Sequence, residues 1–229
     1  MTKAIVLGAT GLVGGEIVET LLADPAFDRV ISLGRRPSGK AHDKLEEHAI
    51  DFAKPETFAS TVEEAGRSPG AILFSSLGTT IRKAGSQEAQ RAVDVDAPLA
   101  VARVAAKAGF ACAALVSALG AKRDSSIFYN RIKGELEEEI QALGFSRVRI
   151  VRPSILLGER GEQRPMEAIG ATVSKAFAFI PGLKRYRPIP GATVARALVR
   201  AAKDETPGAR VLELDAIFEL GAVFSRVRG

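Results

Sequence analysis

Three glycines, Gly8, Gly11 and Gly14, follow at once on the apolar run Ala4–Leu7 and open an amphipathic segment, an order that few folds accommodate. The short, unpunctuated run reads as a buried parallel strand. Gly8 permits a tight turn out of that strand. Gly11 lets the backbone approach a pyrophosphate, and Gly14 lets the new helix sit against the sheet. The free N–H groups of the opening helix turn, helped by its dipole, form an anion site. Gly8, Thr10, Gly11, Leu12, Val13 and Gly14 are therefore the first candidate binding element.

The chain alternates strands and helices from there. A helix runs from Leu12 to about Ala23 and stops before Asp24-Pro25. Strands are expected at 29–33, 48–52, 71–75, 112–117 and 147–152, with helices at about 55–65, 86–107 and 126–142; Pro98 should kink the long one. Six strands alternating with helices specify an α/β, doubly wound parallel sheet, the Rossmann fold. A ligand then binds outside the carboxyl ends of the strands. Residues from 154 to 229 have a looser rhythm, with a helix expected at about 165–179, another at 192–203, a strand at 210–214 and an apolar tail to 224. They read as a small C-terminal, substrate-capping lobe on a core of about 1–153, the whole being one dinucleotide-binding domain.

At 229 residues and 46% hydrophobic content, such a domain needs no disulfide or metal staple. The single cysteine, Cys112, lies in a strand-like run and reads as a buried, inert thiol. It can form no disulfide within the chain, which suits a reducing cytoplasm, the expected location. Lys3 before an apolar run does not make a secretory leader, because three glycines, Glu16 and Glu19 interrupt it. No apolar stretch reaches membrane-spanning length. A net charge of +5 permits an anionic ligand, but 6% aromatics and no Trp leave little for stacking nucleic-acid bases.

About twenty residues past the glycines, where an acid would hold ribose hydroxyls, stand Arg35 and Arg36. Guanidinium forks grip a 2′-phosphate that a carboxylate would repel, which favours NADP(H) over NAD(H). Asp51, with Phe52 beside it, either accepts a hydrogen bond from an adenine amino group or caps the next helix. Tyr129 and Lys133 stand four apart on one helix face, and a nearby ammonium favours phenolate, useful for proton transfer. Ser117, ending the preceding strand, offers a hydroxyl to a carbonyl oxygen.

Gly8-x-x-Gly11-x-x-Gly14, Ser117 and Tyr129-x-x-x-Lys133, in that order, resemble the short-chain dehydrogenase/reductase superfamily. Arg152-Pro153-Ser154 resembles its extended and atypical branches. Leu77-Gly78-Thr79-Thr80, Lys83-Ala-Gly85, Lys133-Gly134-Glu135 and Arg152 to Arg160 resemble the atypical TIP30-like subgroup, named for an NADPH-binding regulatory protein. The resemblance implies an NADP(H)-dependent oxidoreductase acting on a small carbonyl or alcohol. Tyr129 would be its general acid/base, Lys133 would hold the nicotinamide ribose, and Ser117 would orient the substrate. Leu77 and Gly78 would line the ribose, and Pro153 and Ser154 the nicotinamide end. The alternative it leaves is an NADPH-sensing protein with a regulatory partner and little turnover, and it admits a homodimer through helices 86–107 and 126–142. Two departures stand out. Asp94 and Asp96 occupy the stretch where many members carry an asparagine, and Ser76-Leu77-Gly78 replaces an asparagine-rich turn. In the lobe, Arg160, Arg164, Lys184, Arg185 and Arg187 form either a basic rim for an anionic substrate or a solvated face. Ala176–Ile180 lines either a pocket or the core.

Overall fold

The computed structural model describes residues 2–157 and 187–222. Strand β1 (Thr2–Leu7) leads through the glycine turn into α1 (Leu12–Ala23), then β2 (Phe27–Gly34), β3 (Leu45–Ala49), α2 (Ala59–Gly66) and β4 (Ile72–Ser75). A one-turn α3 (Ile81–Ala84) and α4 (Gln87–Arg91) follow. The latter runs through a π-helical turn (Ala92–Asp96) into α5 (Ala97–Lys107). Then come β5 (Cys112–Val116), α6 (Phe128–Gln141), β6 (Arg147–Arg152), the short β7 (Leu156–Leu157) and β8 (Ile189–Pro190), α7 (Gly191–Lys203), β9 (Gly208–Glu213) and α8 (Asp215–Ala222).

Seven strands form one sheet in the order β3-β2-β1-β4-β5-β6-β9, and every pairing is parallel. The order reverses between β1 and β4, which opens a crevice at their carboxyl ends beside Gly8 and Ser76. Alternation within β1 shows why the strands are apolar throughout. Ala4 and Val6 join the core under α1 and α7, whereas Ile5 and Leu7 join the core under α2, α5 and α6.

The expected Rossmann fold is what forms, with differences at the sheet's margins. The third strand spans 45–49 rather than 48–52, because as an edge strand it carries the polar run Leu45-Glu-Glu-His-Ala. Asp51 and Phe52 consequently lie in the loop beyond it. The expected capping lobe also divides differently. Strand β9 is the seventh strand of the main sheet, and α7 covers the sheet beside it, over β5 and β6, burying Val194, Ala195, Leu198 and Ala202. The residues of β9 are mostly exposed, as befits the edge of the sheet. The buried Arg149 fastens this edge, donating to the carbonyls of Val148, Ala201, Asp204, Thr206 and Gly208. The helix expected at 165–179, Ala176–Ile180, Arg160, Arg164, Lys184 and Arg185 lie outside the described residues. Arg187, the remaining member of the proposed rim, pairs with Asp215 at 2.7 Å and stacks 3.6 Å over the Phe218 ring.

The kink expected at Pro98 becomes the π turn. Proline has no N–H to give the Asp94 carbonyl, and the Ala97 N–H reaches back five residues to Ala92 instead. No helix among the described residues is long and apolar enough to cross a membrane.

Candidate functional site

The glycine turn is built by close backbone contact. Gly8 has φ +87°, and a Cβ there would meet Ser76 Oγ at 2.9 Å and the Leu77 nitrogen at 3.1 Å. Gly11 is the N-cap of α1, and its N–H donates to the Gly8 carbonyl at 2.9 Å. No side chain caps α1, so its first-turn N–H groups stay available to an anion. Val13 is core, and Leu12 packs on Gly191 at the start of α7, so both offer the site only backbone.

An open cleft of about 350 Å³ lies over this turn, lined by Gly8, Thr10, Gly34, Arg35, Arg36, Phe52 and Leu77, with Ala9 and Ser32. Arg35 and Arg36 are exposed at its rim and form no ion pair with any described residue. Asp51 turns away from it. Its carboxylate accepts from the Ala53 N–H at 3.0 Å and lies 3.9 Å from Lys54, so it closes its own loop while Phe52 lines the cleft. A second cleft of about 300 Å³, lined by Lys3, Asp28, Arg29, His48 and Glu64 among others, lies at the amino ends of β1 and β2. It is remote from every candidate residue, and its Lys3–Glu64 and Glu46–His48 pairs answer much of its charge.

Tyr129 and Lys133 face the same space from the first turns of α6, with the Lys133 ammonium 5.9 Å from the centre of the Tyr129 ring. Tyr129 is 40% exposed, whereas Lys133 is buried. The ammonium donates to the Leu77 carbonyl at 3.1 Å and lies 3.0 Å from Asp94 Oδ1. Gly78 passes beside both, since a Cβ on it would stand 3.5 Å from each. The loop leading into α6 is pressed onto that helix; a Cβ on Gly134 would lie 2.3 Å from the Lys122 carbonyl carbon.

Ser117 follows β5 with its N–H held by the Val151 carbonyl at 2.8 Å, and its buried hydroxyl makes no hydrogen bond in the protein. A buried hydroxyl left unpaired is free to bind a ligand oxygen. Pro153 accepts from the Leu119 N–H at 3.1 Å, which ties the exit of β6 to the loop after Ser117. The Ser154 hydroxyl is taken by the Arg187 carbonyl at 2.9 Å. Cys112 is buried in β5, and burial pushes its thiol up to about 11, so it serves as core.

Asp94 is the site residue whose role the sequence left open. It is fully buried, and its Oδ2 accepts from the Thr79 N–H at 2.8 Å. Gln90 braces the same loop through the Thr79 carbonyl at 3.1 Å. The available signal was Pro98, four residues on, whose missing donor produces the π turn that carries Asp94. Asp96 points elsewhere and pairs with Arg91, which also holds Glu135.

The profile of a family described as the NAD dependent epimerase/dehydratase family matches residues 4–125. The chain is 36% identical over 211 residues to the Coccidioides immitis protein named Protein FMP52, mitochondrial, covering 88% of this chain and 85% of that protein. It is 33% identical over 213 residues to the Emericella nidulans protein of the same name, covering 90% and 91%. Its fold is similar to that of the Bordetella bronchiseptica enzyme WbmH in complex with NAD+, with a TM-score of 0.69 and 16% identity over 99% of this chain and 81% of that one. A short-chain dehydrogenase family protein from Francisella tularensis gives a TM-score of 0.62 and 14% identity over 93% and 97%. The mitochondrial relatives overturn the cytoplasmic expectation. A lone buried thiol is chemically inert in either compartment and so does not identify one.

Proposed function

Because the chain belongs to the NAD-dependent epimerase/dehydratase family, within the short-chain dehydrogenase/reductase superfamily, we propose that it is an NADP(H)-dependent oxidoreductase of small carbonyls or alcohols. The observation that carries this reading is Leu77. It lines the cleft over the glycine turn, and its carbonyl holds the Lys133 ammonium one helical turn from Tyr129. One residue thus joins the anion-binding end to the acid–base end.

The residues fit the dinucleotide. The uncapped start of α1 takes the pyrophosphate between Gly8 and Gly14, and Arg35 and Arg36 take a 2′-phosphate. Leu77 and Gly78 flank the ribose, and Pro153 with Ser154 borders the nicotinamide end. A bound nicotinamide supplies or accepts the hydride. The Ser117 hydroxyl orients the carbonyl oxygen, Tyr129 Oη gives or takes its proton, and Lys133 holds the ribose beside them. The names of the relatives support a mitochondrial setting.

Parallel calorimetric titrations with NADPH and NADH test the cofactor, and a screen of carbonyls and alcohols tests turnover. Tyr129→Phe should abolish turnover while keeping cofactor affinity; a variant as active as the parent removes the acid–base assignment. A second reading, a cofactor-sensing protein with little turnover, is favoured by the carboxylate that meets the Lys133 charge. It requires partner capture that depends on NADPH, and equal capture without NADPH eliminates it.

A further inference from the structure

Two donors converge on Asp94 in a space closed to water. The Thr79 N–H meets Oδ2 at 2.8 Å and the Lys133 ammonium stands 3.0 Å from Oδ1. Oδ1 receives no hydrogen bond, so the ammonium's charge is what answers it. A carboxylate has an acceptor for each donor. An asparagine has one acceptor and one NH2, and would turn that NH2 toward either a backbone N–H or an ammonium. The loop after β4 therefore requires an acid here, which accounts for the departure from the superfamily's usual asparagine.

The consequence reaches Tyr129. A lone ammonium beside a phenol favours phenolate, but an ammonium paired with a buried carboxylate presents little net charge. The carboxylate lies within about 9 Å of the phenol ring, given the two contacts of Lys133. We propose that Asp94 is a positioning residue, which fixes Lys133 against the Leu77–Thr79 loop and offsets the charge that Lys133 presents to the Tyr129 phenol. This rests on the reading of Tyr129 as the acid/base.

The other charged groups around the tyrosine are already matched or solvent-screened. On its own helix, Arg131 donates to the Ser125 carbonyl and stacks on Phe128, and Glu135 pairs with Arg91 from α4. In the preceding loop Lys122 pairs with Asp124, and Arg123 with Glu138 and Glu139. From β6, Arg152 is held by Glu137 and Glu213. The Asp94–Lys133 pair differs in being buried on both sides.

The chain has two tyrosines and no Trp, so in a Tyr186→Phe background the phenolate absorbance reports Tyr129 alone. In that background Asp94→Asn should bring the absorbance up at a pH about one unit lower than in the background protein. An equal or higher pH overturns the proposal. Should that variant not fold, the double variant Asp94→Asn/Lys133→Met replaces the pair by neutral side chains, an exchange that buried ion pairs often tolerate. Its midpoint should stay within about half a unit of the background, and a rise beyond that shows the lysine acting unopposed, which also overturns the proposal. Neither titration needs turnover, so failure of the oxidoreductase reading appears separately, as inactivity across the substrate screen.

Discussion

A Cβ on Gly14 would stand 1.9 Å from the carbonyl oxygen of Gly8, so α1 meets the glycine turn at a distance that admits no side chain. Gly14→Ala should cost about 3 kcal/mol and displace the turn. The neighbouring Gly15 is the control, since a Cβ there would meet only the Ala9 carbonyl at an ordinary 3.5 Å. Gly15→Ala, inside the helix, should stabilise by about 0.5–1 kcal/mol. Melting temperatures of the two variants should move in opposite directions.

Arg35 and Arg36 line the cleft rim without a counter-ion among the described residues. Arg35→Ala and Arg36→Ala should each weaken NADPH about tenfold, close to 1.4 kcal/mol, and leave NADH unchanged. Calorimetric titration separates the two cofactors. Equal losses for both would assign the arginines to something other than the 2′-phosphate.

Arg149 spends its whole guanidinium on four carbonyls where α7 ends and β9 begins and on the carbonyl of its neighbour Val148. Arg149→Met should lose roughly 3 kcal/mol or more by leaving buried acceptors unpaired. Arg149→Lys should rescue only part, because an ammonium lacks the planar fork. Denaturant melts measure both. NADPH affinity at low temperature should be unaffected, since the carbonyls of Asp204, Thr206 and Gly208 lie at the amino end of β9, whereas the crevice opens at the carboxyl ends of the parallel strands.

Burial holds the Cys112 thiol neutral to about 11, against an ordinary value of 9.0. The unfolded chain therefore gives up this proton first as pH rises. Stability from the thiol is complete below about pH 9 and falls by roughly 2–3 kcal/mol as pH climbs toward 11. Cys112→Ala should show a shallower alkaline loss in urea melts than the parent. A thiol reagent at neutral pH should label the parent only after unfolding.

What could be read ahead of the structure depended on how local its cause was. The turn at Gly8–Gly14, α1 at Leu12–Ala23 and β6 at Arg147–Arg152 follow from period, proline stops and glycine placement, all short-range. Edge strands β3 and β9 were expected, but the bounds of β3 and the place of β9 in the main sheet were not, because an edge strand meets water on one flank and carries a weaker pattern. Asp51 was expected at the end of the third strand, and both its loop position and the choice between ligand and its own turn were decided by the fold, through the Ala53 N–H.

Residue order alone determined that this chain winds a parallel sheet, places three glycines under a helix start and sets Tyr129 and Lys133 on one face, because each follows from backbone geometry within a few residues. Only the tertiary structure decided that Asp94 meets Lys133, that Leu77 joins the cleft to that pair, and that Arg149 locks the last strand. Those contacts join residues 39 to 59 positions apart, and burial, which fixes what a charge must pair with, exists only once the chain has closed around it.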